Sequence, residues 1–228
     1  MAVDFKQHYV AFLDVLGFKE MVEDDLEHDA NTFLLKLYKC HQSAAEIFHD
    51  DPTCTITQFS DSIVISKPYD ASAFEGFAKK VANYQRLLLD EELLCRGGIA
   101  VNKHFSNNTF TFSAGLIDAY NVESKTARYP RVVISPEVIS LVYPEGIGKA
   151  SVLIEEDDGL LFVDYIGLTA NKRPKLLHSS VENIVLKLSQ TKSASVREKG
   201  LWLASYADAI LNTNLKHPKF KGKKVSKS

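Results

Sequence analysis

The sequence predicts an α+β fold, an antiparallel sheet with helices on one face. Three observations carry that prediction. Strand-length runs such as 9–16 (YVAFLDVL) and 62–66 (SIVIS) are dominated by apolar and β-branched residues. Longer stretches between them repeat apolar residues at helical spacing, as in Phe74, Phe77, Ala78, Val81, Tyr84 and Leu88. Finally, the elements arrive in the order strand, helices, strand, strand, helix, strand. Two βαβ-like halves joined by a hairpin make a ferredoxin-like, or palm-type, core.

Each element has its own signal. Residues 9–16 read as a buried strand, broken by Gly17. Phe18, Met21, Val22 and Leu26, then Phe33, Leu34, Leu37, Tyr38, Ala45 and Phe48, predict one or two helices over 18–49, split near 28–31. Residues 53–57 and 62–66 flank the polar Gln58-Phe59-Ser60-Asp61 and predict a hairpin with Asp61 at its turn. A helix follows to about Glu92, then a strand over 94–105 with Gly97-Gly98 near its start, continued over 109–112 after a turn. Residues 115–126 read as helix and 131–134 as strand. Ser135-Pro136-Glu137 marks a helix start, with Ser135 as cap and proline at the first helical position. Residues 152–154 and 160–165 flank the acidic Glu155-Glu156-Asp157-Asp158-Gly159 as a second hairpin, and 181–212 close the chain with two helical stretches.

Composition excludes several classes. Of 228 residues, 45% are hydrophobic and 25% charged, an ordinary globular balance. No apolar run is long enough to span a bilayer and no signal-peptide pattern opens the chain, so no membrane partner and a cytoplasmic location are expected. Cys40, Cys54 and Cys95 are odd in number and without a CxxC, which reads as free thiols. The net charge is −2, to which the six lysines of residues 216–228 contribute +6, leaving −8 on the rest. That segment reads as a disordered basic tail, and no nucleic-acid partner is expected. The organisation expected is one domain over 1–215, with a core over about 8–135 and an elaboration over 136–215.

Three segments carry the chemistry. Phe12-Leu13-Asp14-Val15-Leu16-Gly17-Phe18 places an acid near the end of a buried strand, where it needs pairing, hydrogen bonds or a metal. The glycine turn into a helix would present the amides of Val15, Leu16, Gly17 and Phe18 to an anion. Phe59-Ser60-Asp61-Ser62 places a second acid in a turn 47 positions later. Alone, Asp14 reads as a helix-capping acid and Asp61 as a turn aspartate. In a ferredoxin-like core the two converge at one sheet end, as two-metal phosphoryl transfer requires. The third segment is Cys95-Arg96-Gly97-Gly98-Ile99-Ala100, which by itself reads as a glycine-containing strand packed closely on a helix.

FLDVLGF and QFSDSIVIS resemble the metal-binding segments of class III nucleotidyl cyclase domains, over roughly residues 8–135, and are most similar to the Pycsar pyrimidine cyclases of antiphage defence. The resemblance implies a nucleoside triphosphate substrate, UTP favoured over CTP, converted to its 3′,5′-cyclic monophosphate and pyrophosphate. It implies two Mg²⁺ or Mn²⁺ ions per site, held by Asp14, Asp61 and the main chain of Val15. It also implies a homodimer with shared sites and a separate effector protein that reads the cyclic nucleotide. Residues 115–125 are similar to the cyclase helix N-x-A-S-R, so that Asn121 takes the ribose-orienting position and Lys125 that of the charge-stabilising arginine. Arg128 and Arg131 are alternative cations, and Thr57 takes the base-reading position. The chain departs from the family at Val101-Asn102-Lys103, where a second glycine is usual. A purine cyclase, a minimal palm polymerase and an inactive nucleotide sensor remain the alternatives.

Overall fold

The structure, a computed structural model, describes residues 4–107, 109–148 and 150–215. The basic segment 216–228 therefore lies outside the described residues. Strand β1 (Lys6–Val15) alternates strictly, with Tyr9, Ala11, Leu13 and Val15 on one face and Val10 and Phe12 on the other. Both sets are buried, so a strand with almost no polar alternation lies at the centre of the sheet.

Gly17 ends β1 at φ +81°, a left-handed conformation open to glycine, and α1 (Phe18–Glu27) begins there. The Asp25 carboxylate accepts from the amides of Thr32, Phe33 and Leu34, which starts α2 (Thr32–Phe48) and divides the two helices where the sequence placed the break. The hairpin β2 (Thr55–Phe59) and β3 (Ser62–Pro68) follows, then α3 (Phe74–Asp90), β4 (Cys95–Ser106) and β5 (Thr111–Ser113). Next come α4 (Ala114–Thr126), β6 (Val132–Ile134), α5 (Pro136–Val142), β7 (Leu153–Glu155), β8 (Leu161–Val163), α6 (Pro174–Gln190) and α7 (Ala194–Leu211). The expected cap of α5 is present, with Ser135 Oγ accepting from the Val138 amide at 3.4 Å.

One sheet runs β2-β3-β1-β4-β6-β8-β7, with β5 folded back on β4. Strand β1 lies antiparallel between β3 and β4, the central pairing of the predicted α+β core. Two details differ from expectation. The β4–β6 pairing is parallel, because α4 crosses over between those strands, so the sheet is mixed. Helices also cover both faces. The larger core joins Tyr9, Ala11 and Leu13 to α2, α3, α6 and α7, whereas Val10, Phe12, Val64 and Ala100 form a second apolar surface closed by Ala119 of α4. Glycine makes that close approach feasible. A Cβ at Gly98 would lie 2.4 Å from the Ala119 carbonyl oxygen, and one at Gly115 would lie 2.7 Å from Val10.

The elaboration after residue 135 is held by polar side chains. Asp164 accepts from the Tyr206 hydroxyl at 2.6 Å and the Gly167 amide at 2.8 Å, clasping α7 to the turn after β8. Arg173 donates to Asp90 at 2.6 Å, and Asp90 also receives the buried Arg86. Asp164 and Arg173 are thus structural.

Candidate active site

Asp14, near the end of β1, is in register with Ser62 of β3 and Arg96 of β4, and Ser62 with Phe59 of β2. Directly paired residues share a face. Phe59, Ser62, Asp14 and Arg96 therefore form one row across four strands, on the face that α4 covers. The next row on that face is Thr57, Val64, Phe12 and Gly98. Thr57 thus sits one pleat from the acidic row, half-buried on the outer strand.

Asp61 occupies the β2–β3 turn beside Ser60, which adopts a left-handed φ of +54°. Its backbone oxygen accepts from the Val15 amide at 3.1 Å, fixing this turn to the end of β1. The two carboxylates consequently face each other. Burial, and then the Asp61 charge, push the Asp14 carboxyl above its usual range, while Arg96 and Ser62 pull the other way. Ser62 Oγ donates to Asp14 Oδ1 at 3.4 Å, and Arg96 Nε lies 3.9 Å from Asp14 Oδ2.

This donor set fits a hard divalent ion such as Mg²⁺ or Mn²⁺, which takes carboxylate and carbonyl oxygens. Among the described residues no cluster of three or more His, Cys, Asp or Glu side chains is arranged to hold a metal. The pair Asp14 and Asp61 would therefore act with main-chain oxygen, that of Val15 being nearest in sequence. The expected anion cradle contracts. The Val15 amide is bound to Asp61 O and the Leu16 amide to Leu94 O at 2.8 Å, so the amides of Gly17 and Phe18 at the start of α1 remain.

Asn121 and Lys125 lie elsewhere. They line an open cleft of about 470 Å³ with Asn102, Asp118, Ser135 and Glu137. Asn102 Nδ2 donates to Asp118 Oδ2 at 2.7 Å across it. Asn102 belongs to the Val101-Asn102-Lys103 segment that departs from the family pattern, and it supplies a polar wall to this cleft. The two alternative cations are engaged elsewhere. Arg128 pairs with Glu198 of α7 and packs by the Tyr129 ring, outside the cleft lining. Arg131 is 1% exposed and neutralised by Glu156 and Asp158, the acidic hairpin after β7. Both bind α4 and β6 to the C-terminal elements.

Glu123 is a further residue at this site, not among those the sequence points to. It is 2% exposed, and its Oε1 lies 2.5 Å from Arg96 Nε. The contact is close but poorly aligned for a directed hydrogen bond, so it is a charge pair. Burial pushes the Glu123 carboxyl up against the pull of Arg96. A signal was present, because Gly115, Ala119 and Glu123 recur every four residues along the buried stripe of α4.

The fold is that of class III nucleotide cyclase domains. The adenylyl cyclase CyaB from P. aeruginosa superposes with a TM-score of 0.51 at 18% identity, over 72% of this chain and 95% of that one. A bacterial light-regulated adenylyl cyclase gives a TM-score of 0.50 at 11% identity, over 79% of this chain and 59% of that one. No family profile and no curated protein sequence matches the chain. No helix among the described residues is long and apolar enough to cross a membrane.

Proposed function

We propose that the chain is a nucleotide cyclase, converting a pyrimidine nucleoside triphosphate, UTP before CTP, to the 3′,5′-cyclic monophosphate and pyrophosphate. The observation that carries this reading is the Asp14–Asp61 pair, opposed across a fixed turn beside the Gly17 helix start. When bound there, divalent ions supply charge stabilisation for the attacking ribose oxygen and the departing pyrophosphate. The chain's own residues position the rest. The Gly17 and Phe18 amides receive phosphate oxygens at the N-terminus of α1. Asn121 orients the ribose, and Lys125, four residues on and on the same helix face, offsets charge developing on the phosphate.

These two groups belong to different copies of the chain in this reading. Within one chain α4 turns Glu123 towards Asp14, and Asn121 and Lys125, two positions to either side, point away from it. A head-to-tail homodimer would bring the cleft of one chain over the carboxylates of the other. The exposed Ile117 and Tyr120 of α4, with Phe112 of β5, supply apolar surface for such a contact.

The base preference rests on Thr57, whose short hydroxyl lies on the outer strand of the active face, and on the resemblance to pyrimidine cyclases. The two structures compared above are adenylyl cyclases, and at their identity they speak to fold, not base. A role as second-messenger synthase in antiphage defence, with a separate effector, follows from the same resemblance. Incubation with Mn²⁺ and each of the four triphosphates, with products resolved by mass, tests the reading. A cyclic UMP product supports it. Cyclic AMP or GMP in its place would move the protein to the purine enzymes, and oligonucleotides would make it a polymerase.

A further inference from the structure

Arg96 stands between two acids, 2.5 Å from Glu123 and 3.9 Å from Asp14. Nothing in a metal site benefits from a guanidinium closing on one of its carboxylates. A fixed cation there repels a divalent ion and occupies the oxygens the ion needs. Arg96 is in direct register with Asp14 on the adjacent strand, and its side chain is one-third exposed, so the guanidinium has room to move. What holds it back is Glu123, nearly fully buried on α4 and unable to follow it.

We infer that Glu123 is a positioning residue that draws Arg96 away from Asp14, keeping the Asp14 carboxylate available to a divalent cation. This rests on the proposed metal role of Asp14 and Asp61. The ordering is steric as well as electrostatic. Gly98, two residues after Arg96 on the same face, admits the α4 backbone, and its added Cβ would lie 2.9 Å from the Glu123 amide nitrogen. The glycine thus brings the Glu123 carboxylate within reach of Arg96.

The test is Mn²⁺ affinity without nucleotide, read as free Mn²⁺ by electron paramagnetic resonance. Wild type, D14N, E123Q, R96Q and R96Q/E123Q are compared, each checked for folding by circular dichroism. Loss of binding in D14N establishes the parent reading; wild type without Mn²⁺ binding, or D14N unchanged, refutes that reading on its own. Given the parent, E123Q should bind about tenfold more weakly, the usual cost of losing an outer partner of a metal ligand. The double variant should return to within about threefold of wild type, because the released arginine is gone. R96Q alone should bind Mn²⁺ at least as well as wild type, an arm that remains if E123Q fails to fold. Unchanged affinity in E123Q, no recovery in the double variant, or weakened binding in R96Q each overturns the inference.

Discussion

The Val15 amide donates to the backbone oxygen of Asp61 at 3.1 Å, so the strand carrying Asp14 and the turn carrying Asp61 are tied backbone to backbone. Two acids are thereby held together by a contact independent of their side chains. Their mutual repulsion cannot be relieved by the turn drifting away, and the strain falls on the carboxylates themselves.

Replacing either acid should therefore cost function and not folding. D14N is expected to melt at or above the wild-type temperature without metal, since it removes a half-buried charge facing a like charge. Added Mn²⁺ should raise the melting temperature of wild type and leave that of D14N unchanged. Calorimetry with and without Mn²⁺ reads both effects.

A site shared between chains predicts complementation. D14A and K125A should each be inactive alone. Mixed and allowed to exchange subunits, half the dimers become hybrids with one intact site, giving about a quarter of wild-type activity. No recovery after verified exchange would place all these residues in one chain's site.

Stability should fall in acid through His104. Its ring is 2% exposed, its Nδ1 lies 2.7 Å from Ser113 Oγ, and burial, then neighbouring His8, hold its pKa down at about 4. The unfolded chain takes up this proton near pH 6.5 and the folded chain resists it. The stabilisation is thus complete above about 6.5 and is lost as pH falls towards 4, up to about 3 kcal/mol. Urea unfolding across this window should show the loss in wild type and a smaller one in H104Q.

Gly98→Ala should be costly despite its small size. Its methyl group would meet the Ala119 oxygen at 2.4 Å and the Val122 Cβ at 2.7 Å, backbone and helix stem that do not yield easily. We expect a loss of about 1–3 kcal/mol, measurable by denaturant titration, together with reduced activity as α4 moves.

Much of this was legible in the sequence, and the exceptions share a cause. The helix break near Asn31, the Asp61 turn and the Ser135 cap follow from local chemistry, and local chemistry survives folding. The second covered face is written in residues 9–16, whose apolar run leaves no side fit for water, although the order of elements alone suggests helices on one face. Arg131 reads as an alternative cation because its acids lie 25 and 27 residues later, in the turn of a hairpin. Glu123 was passed over because a helical glutamate normally faces solvent, and only the Gly115–Ala119 stripe marks it as buried. Side chains whose partners come from distant elements are the ones that local sequence does not reveal.

The metal role of Asp14 and Asp61 is tested most directly by turnover of matched proteins: wild type, D14N and D61N, each with Mn²⁺ and every triphosphate in turn, products identified by mass. Wild type should yield a 3′,5′-cyclic nucleotide, and each variant should lose on the order of 10³-fold or more of that turnover with folding intact. A cyclic product from D14N or D61N at the wild-type rate would rule that role out.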